Sequence, residues 1–232
     1  MRSRTEHRGG PRGGRLTWVA ATGLVAGVGM VVQGVLSAPH PPPQPRAQSA
    51  AAAELPQQTA AGVRPLGYSR PVRVRVERLG IMAAIRPVGL NSDGTVEVPR
   101  PEQAGDAGWY KVGAAPGQTG SAVILGHVDS AVLPGGRAAF YALGAARKGD
   151  QVEVDRADGT TARFSVETVT VVAKSDFPTR AVYGPTDTPQ LRLVTCGGSY
   201  SGASGYSANV IVYAHLTGSG RTTTAEPGRS RR

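Results

Sequence analysis

The chain has 232 residues, 40% of them hydrophobic and 5% aromatic, with a formal charge of +10 and one cysteine. Residues 1–62 hold six arginines against Glu6 and Glu54, and residues 219–232 hold four against Glu226, so the two ends carry seven of the ten charges. A nucleic-acid binder concentrates positive charge on its folded domain among aromatics, so this distribution argues against nucleic acid as a partner, while a single cysteine excludes an intrachain disulfide framework and any site built from several thiolates.

Residues 1–15 are polar, glycine-rich and arginine-rich with no apolar period, and read as a basic cytoplasmic arm. Residues 16–36, from Leu16 to Leu36, carry no charge; at about 1.5 Å per residue such a run spans about 30 Å, the hydrocarbon thickness of a bilayer. It reads as a transmembrane helix that stays uncleaved. The competing reading, a cleaved signal peptide, calls for a shorter apolar region of about 7–15 residues, and a cut after Ala38 would put Pro39 next, leaving Ser37 as the weaker alternative. Arginines before the span and few after it set the N-terminus in the cytoplasm and everything beyond it outside the plasma membrane.

Residues 37–62 are Pro- and Ala/Gln-rich and read as a stalk, extended where the prolines cluster. From 63 to 218 the texture changes to short alternating runs between turn residues, the pattern of an all-β domain. Strands are expected at 73–77, 82–87, 95–99, 122–126, 151–155, 161–174, 190–195 and 208–216, with a short helix at 138–146. Eight strands with few helices imply a closed or nearly closed barrel. Residues 219–232 lack an apolar anchor and are expected to be a disordered basic tail.

Cys196 follows the strand Gln190–Thr195 and precedes Gly197-Gly198. A thiol there sits at a sheet edge, where a substrate backbone can approach and a base can reach the sulfur; alone, it would as readily be a small buried hydrophobe. Of the four histidines, His127 also appears just past an apolar strand, through Gly126, whereas His215 lies inside the terminal strand and reads as structural. A cysteine with a histidine at hand forms a nucleophile and proton carrier for acyl transfer. Asp129 is offered either as an orienter of His127 or as a turn cap. Cys196, His127 and Asp129 lack the ligand number and spacing of a zinc site, and no acidic loop for calcium is present, so no metal or other cofactor is expected.

Ile124-Leu125-Gly126-His127-Val128-Asp129, Leu193-Val194-Thr195-Cys196-Gly197-Gly198 and Asn209-Val210-Ile211-Val212-Tyr213-Ala214 together resemble the sortases, most closely the class F (class E/F-like) type of actinobacteria. The resemblance extends over residues 71–216 and takes in Asp93–Pro99, Gly108-Trp109-Tyr110 and Pro116–Gly120. It implies an eight-stranded sortase β-barrel with one or two short helices, behind the N-terminal transmembrane helix. It also implies a cysteine transpeptidase that cleaves an LPXTG-like sorting signal of secreted proteins between Thr and Gly. The acyl group is held as a thioester and passed to an amine of a cell-wall precursor or another protein.

By position, Cys196 corresponds to the nucleophile and His127 to the general acid and base. The family's third residue, an arginine on the last strand, falls at Ser207, and no Lys or Arg occurs between Cys196 and Arg221. Arg192 shares the strand face of Cys196 at about 13 Å by strand rise; it and the Gly197 backbone are the candidates for oxyanion or substrate support, with Arg180 a further cation nearby. The alternative reading is a catalytically silent, sortase-like binding module at the cell surface. A different surface enzyme such as an L,D-transpeptidase would show a Ser-x-Gly-Cys signature, which is absent.

Overall fold

The computed structural model describes residues 41–45 and 63–222. Eight strands close into one barrel: β1 (Pro71–Val76), β2 (Ile81–Val88), β3 (Ala107–Tyr110), β4 (Gly120–Leu125), β5 (Gln151–Arg156), β6 (Thr160–Ala173), β7 (Pro189–Ser201) and β8 (Gly205–Arg221). Their order around the barrel is β1-β2-β3-β4-β7-β8-β6-β5. Neighbours pair antiparallel except β2 with β3 and β4 with β7, which are parallel. The single α-helix among the described residues, α1, is Thr179–Tyr183.

Alternation sets the inward face. In β1, Val74 and Val76 are buried while Arg73 and Arg75 face out; in β2, Ile81, Ala83 and Ile85 are buried against exposed Met82, Ala84 and Arg86. These side chains join Ile124, Phe140, Phe164, Leu191, Leu193 and Val212 in the barrel interior. The strands β4, β7 and β8 are buried on both faces and read as near-continuous apolar runs. Their outward residues Val123, Leu125, Val194, Ile211 and Tyr213 form a second cluster, covered by Val182 of α1 with Phe177 and Tyr183 beside it. That outer cluster is the floor beneath the catalytic edge.

Two expectations are corrected and one strand is added. Residues 95–99 form no strand: Val96 makes one isolated bridge to Leu90, and Val98 is exposed. With only residues 89–91 beside it the backbone closes a turn, where Asp93 Oδ1 accepts the Thr95 N–H at 2.9 Å. The strand that fills this place is β3, four residues long and containing Gly108, where a Cβ would stand 3.0 Å from Val88 Cγ1; so short a segment carries little alternation to read. Residues 138–146 make only a 3₁₀ turn at Leu143–Ala145, because the N–H groups of Ala139 and Phe140 go to the carbonyls of Ala104 and His127, both at 2.9 Å, rather than to a helical ladder.

The eight-stranded barrel otherwise stands where the alternation placed it. Its last strand runs past residue 218: β8 continues through the Gly/Ser segment to Arg221, held by pairing with Thr160–Arg163 of β6. Residues 223–232 and the expected transmembrane helix at 16–36 lie outside the described residues. Among those described, no helix is long and apolar enough to cross a membrane.

Between β1 and β5, Arg75 donates to Glu153 Oε2 at 2.7 Å and to Asp155 Oδ2 at 2.5 Å, and Arg163 reaches the other Glu153 oxygen at 3.2 Å. The Arg75 hydrogen bond, with Arg163 adding to it, holds the Glu153 carboxyl below its ordinary 4.5. A depressed carboxylate stabilises the fold above its unfolded value and loses that contribution as pH falls through its folded value. Arg75→Met is therefore expected to flatten the acid side of the curve of thermal midpoint against pH, from about pH 5 downward, with little change in its slope above neutrality.

Candidate active site

The site is set by the parallel pairing of β4 with β7, in which Gly120 through Leu125 lie opposite Pro189 through Val194. Leu125 and Val194 both point into the outer cluster, so two residues further on His127, just past the end of β4, and Cys196 stand at the same level. Cys196 lies inside β7 rather than at the strand end expected before Gly197-Gly198, because the ladder with β8 continues through Gly197 to Ser201. Parallel neighbours lie about 4.8 Å apart, which brings the backbones that carry the imidazole and the thiol side by side. The register is fixed at the site itself. Gly126 N–H donates to Val194 O at 3.0 Å, and the Thr195 hydroxyl donates to Gly126 O at 2.8 Å. Residues immediately preceding the histidine and the cysteine are thus tied to each other.

His127 is held from behind as well. Its Nε2 lies 2.6 Å from the Pro99 carbonyl, which as an acceptor requires the proton on Nε2 and leaves Nδ1 as the nitrogen that can exchange one. Its own carbonyl accepts from Phe140 N–H at 2.9 Å. Gly126 is required for this packing, since a Cβ there would stand 2.9 Å from the Phe140 ring.

Cys196 is a free, half-buried cysteine directly opposite Asn209 of β8. Burial pushes its thiol up from the ordinary value; the Lys174 charge pulls it down and the Asp129 charge pushes it up further. Asp129 is engaged by Tyr206, whose hydroxyl donates to Asp129 Oδ2. Burial, then this hydrogen bond and the Asp129 charge, keep the Tyr206 phenol protonated. Of the two roles the sequence offered Asp129, the hydrogen bonds show neither: its carboxylate partner is Tyr206 rather than His127. His215 is placed structurally, with Nδ1 at 2.9 Å from Glu167.

Arg192 is not at the site. It is buried, donates to Gln190 Oε1 and Leu191 O at 3.2 Å and to Ala181 O at 3.3 Å, and stacks 4.7 Å from the Tyr213 ring centre. Desolvation lowers its pKa to about 10. Strand alternation put it on the correct face, and that face at its level is the apolar floor under α1. Gly197 lies in the β7–β8 ladder opposite Ala208, where a Cβ would meet Val210 Cγ2 at 2.7 Å. At the position expected for an arginine, Ser207 Oγ accepts from Ser199 N–H at 3.1 Å and so ties the β7–β8 hairpin.

A part of the expected stalk lies against this edge. Pro42 is buried, a Cβ on Gly144 would collide with the Pro43 carbonyl, and Gln44 Oε1 accepts the Gly198 N–H at 2.9 Å. Gln44 also lines, with Gly144, Lys148 and Glu167, a cavity of about 500 Å³ to which neither His127 nor Cys196 contributes. Among the described residues no group of three or more His, Cys, Asp or Glu could hold a metal ion.

Sequence reasoning missed four contributors: the Thr195 clasp, the Pro99 carbonyl, Tyr206 and Lys174. Only Thr195 carried a signal, a hydroxyl beside the nucleophile in an otherwise apolar strand. Thr195→Val keeps the shape and removes the donor, so the turnover rate is expected to fall about tenfold or more, for a lost hydrogen bond of about 1–3 kcal/mol at a buried site, with the circular dichroism spectrum unchanged. Asp129→Asn removes a negative charge near the sulfur, so the pH midpoint for alkylation of Cys196, the sole thiol of the chain, is expected to fall.

A family model described as a sortase domain matches residues 74–217. Among solved structures, sortase A from Listeria monocytogenes superposes with a TM-score of 0.50 at 13% identity, covering 66% of this chain and 92% of that one. The SrtA sortase from Actinomyces oris gives 0.48 at 22% identity over 72% and 94%. A lid mutant of sortase A from Corynebacterium diphtheriae gives 0.48 at 21% over 64% and 72%. No curated protein matches the chain.

Proposed function

The chain belongs to the sortase family of cysteine transpeptidases, and from that premise we propose that it is a membrane-anchored sortase, of the class F (class E/F-like) type, acting on secreted proteins with a C-terminal LPXTG-like signal. The observation that carries the reading is the register of β4 with β7, which delivers Cys196 and His127 to one edge. The subclass rests on the Asn209–Ala214 strand and the stretches resembling that type around Gly108 and Pro116. Anchoring rests on the uncharged run 16–36, which in this reading holds the catalytic domain outside the plasma membrane with the N-terminus in the cytoplasm.

The chemistry follows from the two groups. The Cys196 thiolate attacks the scissile carbonyl carbon: a C–S bond forms and the carbonyl electron pair moves onto oxygen. Collapse of that oxyanion breaks the C–N bond, and the His127 imidazolium gives its proton to the departing amine, leaving a thioester and neutral imidazole. An incoming amine from a cell-wall precursor or protein then attacks the thioester. His127 takes the amine's proton, and the thiolate departs as a new amide forms.

Ser207 in place of the arginine favours the second reading, a silent surface binding module. Intact-mass analysis of the full-length chain with LPXTG-type peptides separates the two. The sortase reading expects an acyl adduct on wild type, none on Cys196→Ala, release by an added amine, and a loss of about 10²–10⁴ in rate for His127→Ala. A folded chain whose thiol alkylates normally but takes no acyl group from a panel of sorting peptides identifies the binding module.

A further inference from the structure

The rows of paired residues across β7, β8 and β6 show which side chains share the face and level of the nucleophile. Cys196 lies opposite Asn209, and Asn209 lies opposite Val172. Val172 packs on the outer cluster with Val194 and Ile211, so the outward face of this row is the face of the thiol. One step beyond, Gly197, Ala208 and Ala173 form the next row. The chain leaves β6 at Lys174, the residue alongside Ser207 at the end of that paired region. From these rows we infer that Lys174, two strands away from the nucleophile, supplies the positive charge that the thiolate and the oxyanion derived from it require, in the space opened by a small residue at 207.

Distance permits the role: two strand spacings across and two residues of strand rise along come to about 12 Å between backbones, and the extended lysine side chain closes much of that gap. Ser207 leaves the path clear, since its hydroxyl is turned to Ser199. Lys174 is exposed and makes no hydrogen bond or ion pair with any described residue, whereas Arg192 is buried among its own partners and Arg137 lies 4.9 Å from the Tyr141 ring centre. Independently of the register, Lys174 is the one cation among the described residues whose charge registers at the Cys196 thiol, and it acts to favour the thiolate.

The other polar and titratable groups around the pair are His127 and Asp129 after β4, Tyr200 and Tyr206 of the β7–β8 hairpin, Ser207 and Asn209 of β8, and Asp176 on the turn that Lys174 begins. Asp129 opposes Lys174 at the sulfur, and Tyr206 holds the Asp129 carboxylate. The thiol thus stands between a fixed anion and a lysine on a flexible stem, which can follow negative charge from sulfur to carbonyl oxygen as it moves.

This inference rests on the transpeptidase reading for its oxyanion half and stands without it for the thiolate half, so the test has two arms, both on the full-length chain. In the first, iodoacetamide alkylation is followed against pH for wild type, Lys174→Met and Lys174→Arg. The Met variant is expected to raise the midpoint by about half a unit, the effect of one charge about 8–10 Å away through a partly aqueous medium, and the Arg variant to restore it. Raising salt to about 1 M, where the screening length is about 3 Å, should shift wild type toward the Met variant and move the latter little. In the second arm, acyl transfer from an LPXTG-type peptide is expected to lose about tenfold to a hundredfold in kcat with KM nearly unchanged in Lys174→Met, and to recover in Lys174→Arg. An unchanged alkylation midpoint in Lys174→Met, at unchanged thermal stability, overturns the assignment. Absence of acylation in wild type beside a shifted midpoint overturns the substrate reading and leaves the charge assignment standing.

Discussion

The parallel contact between β4 and β7 is the constraint on which the rest of this protein depends. It joins Gly120–Leu125 to Pro189–Val194 across 69 residues of sequence, and everything between must leave and return for the pair to form. A parallel pair is stable only when both faces are covered. Here the inner face has Ile124, Leu191 and Leu193 in the barrel core, and the outer face has Leu125, Val194 and Val123 under α1. The short helix, too small to persist alone, thus completes the burial that keeps the register. One residue of slip would turn His127 and Cys196 toward opposite faces of the sheet, so the burial of apolar side chains and the juxtaposition of the reacting groups are one fact.

The clasp at the strand ends continues this logic into the site. Thr195 and Gly126 fix the backbones, Pro99 fixes the imidazole, and Phe140 fixes the turn that carries it. Positional order is therefore high around two groups whose electrostatics are opposed. A half-buried thiol is driven toward its neutral form, and Asp129 adds to that drive. Only a minority of the sulfur is then thiolate at neutral pH, and reactivity depends on whatever favours the anion at the moment of attack. A charge on a mobile lysine does this without a fixed, desolvated guanidinium such as Arg192, whose burial already lowers its proton affinity.

What the sequence revealed and what it hid divide along the range of the interactions. Glycine beside an apolar run is a local feature: it marked His127, just past the end of β4, but Cys196, expected at a strand end before Gly197-Gly198, lies inside β7 paired with Asn209; alternation over six or more residues located seven of the eight strands. The miss at 95–99 and the miss of β3 share a cause, since a strand extends only as far as a partner's backbone lies alongside, and Thr95–Pro99 has only the short stretch 89–91 beside it. Ala139 and Phe140 look helical until the carbonyls of Ala104 and His127 take their N–H groups. Lys174 was invisible for the same reason. Counting along β7 and β8 from Cys196 finds only Ser207 where a cation is sought, while Lys174 stands just past the end of β6, 22 residues before the cysteine in the sequence.

The Gly198 N–H adds a last constraint. It belongs to the second residue after the nucleophile, and the oxygen it binds is the side-chain amide of Gln44, chemically the same acceptor as a peptide carbonyl. The segment that brings Gln44 there is held by the buried Pro42 and by the close fit of Pro43 over Gly144, contacts that a proline run makes at little entropic cost because its backbone is already extended. Any substrate carbonyl that uses this donor must first displace Gln44, and any peptide lying along the same edge must share it with residues 41–45.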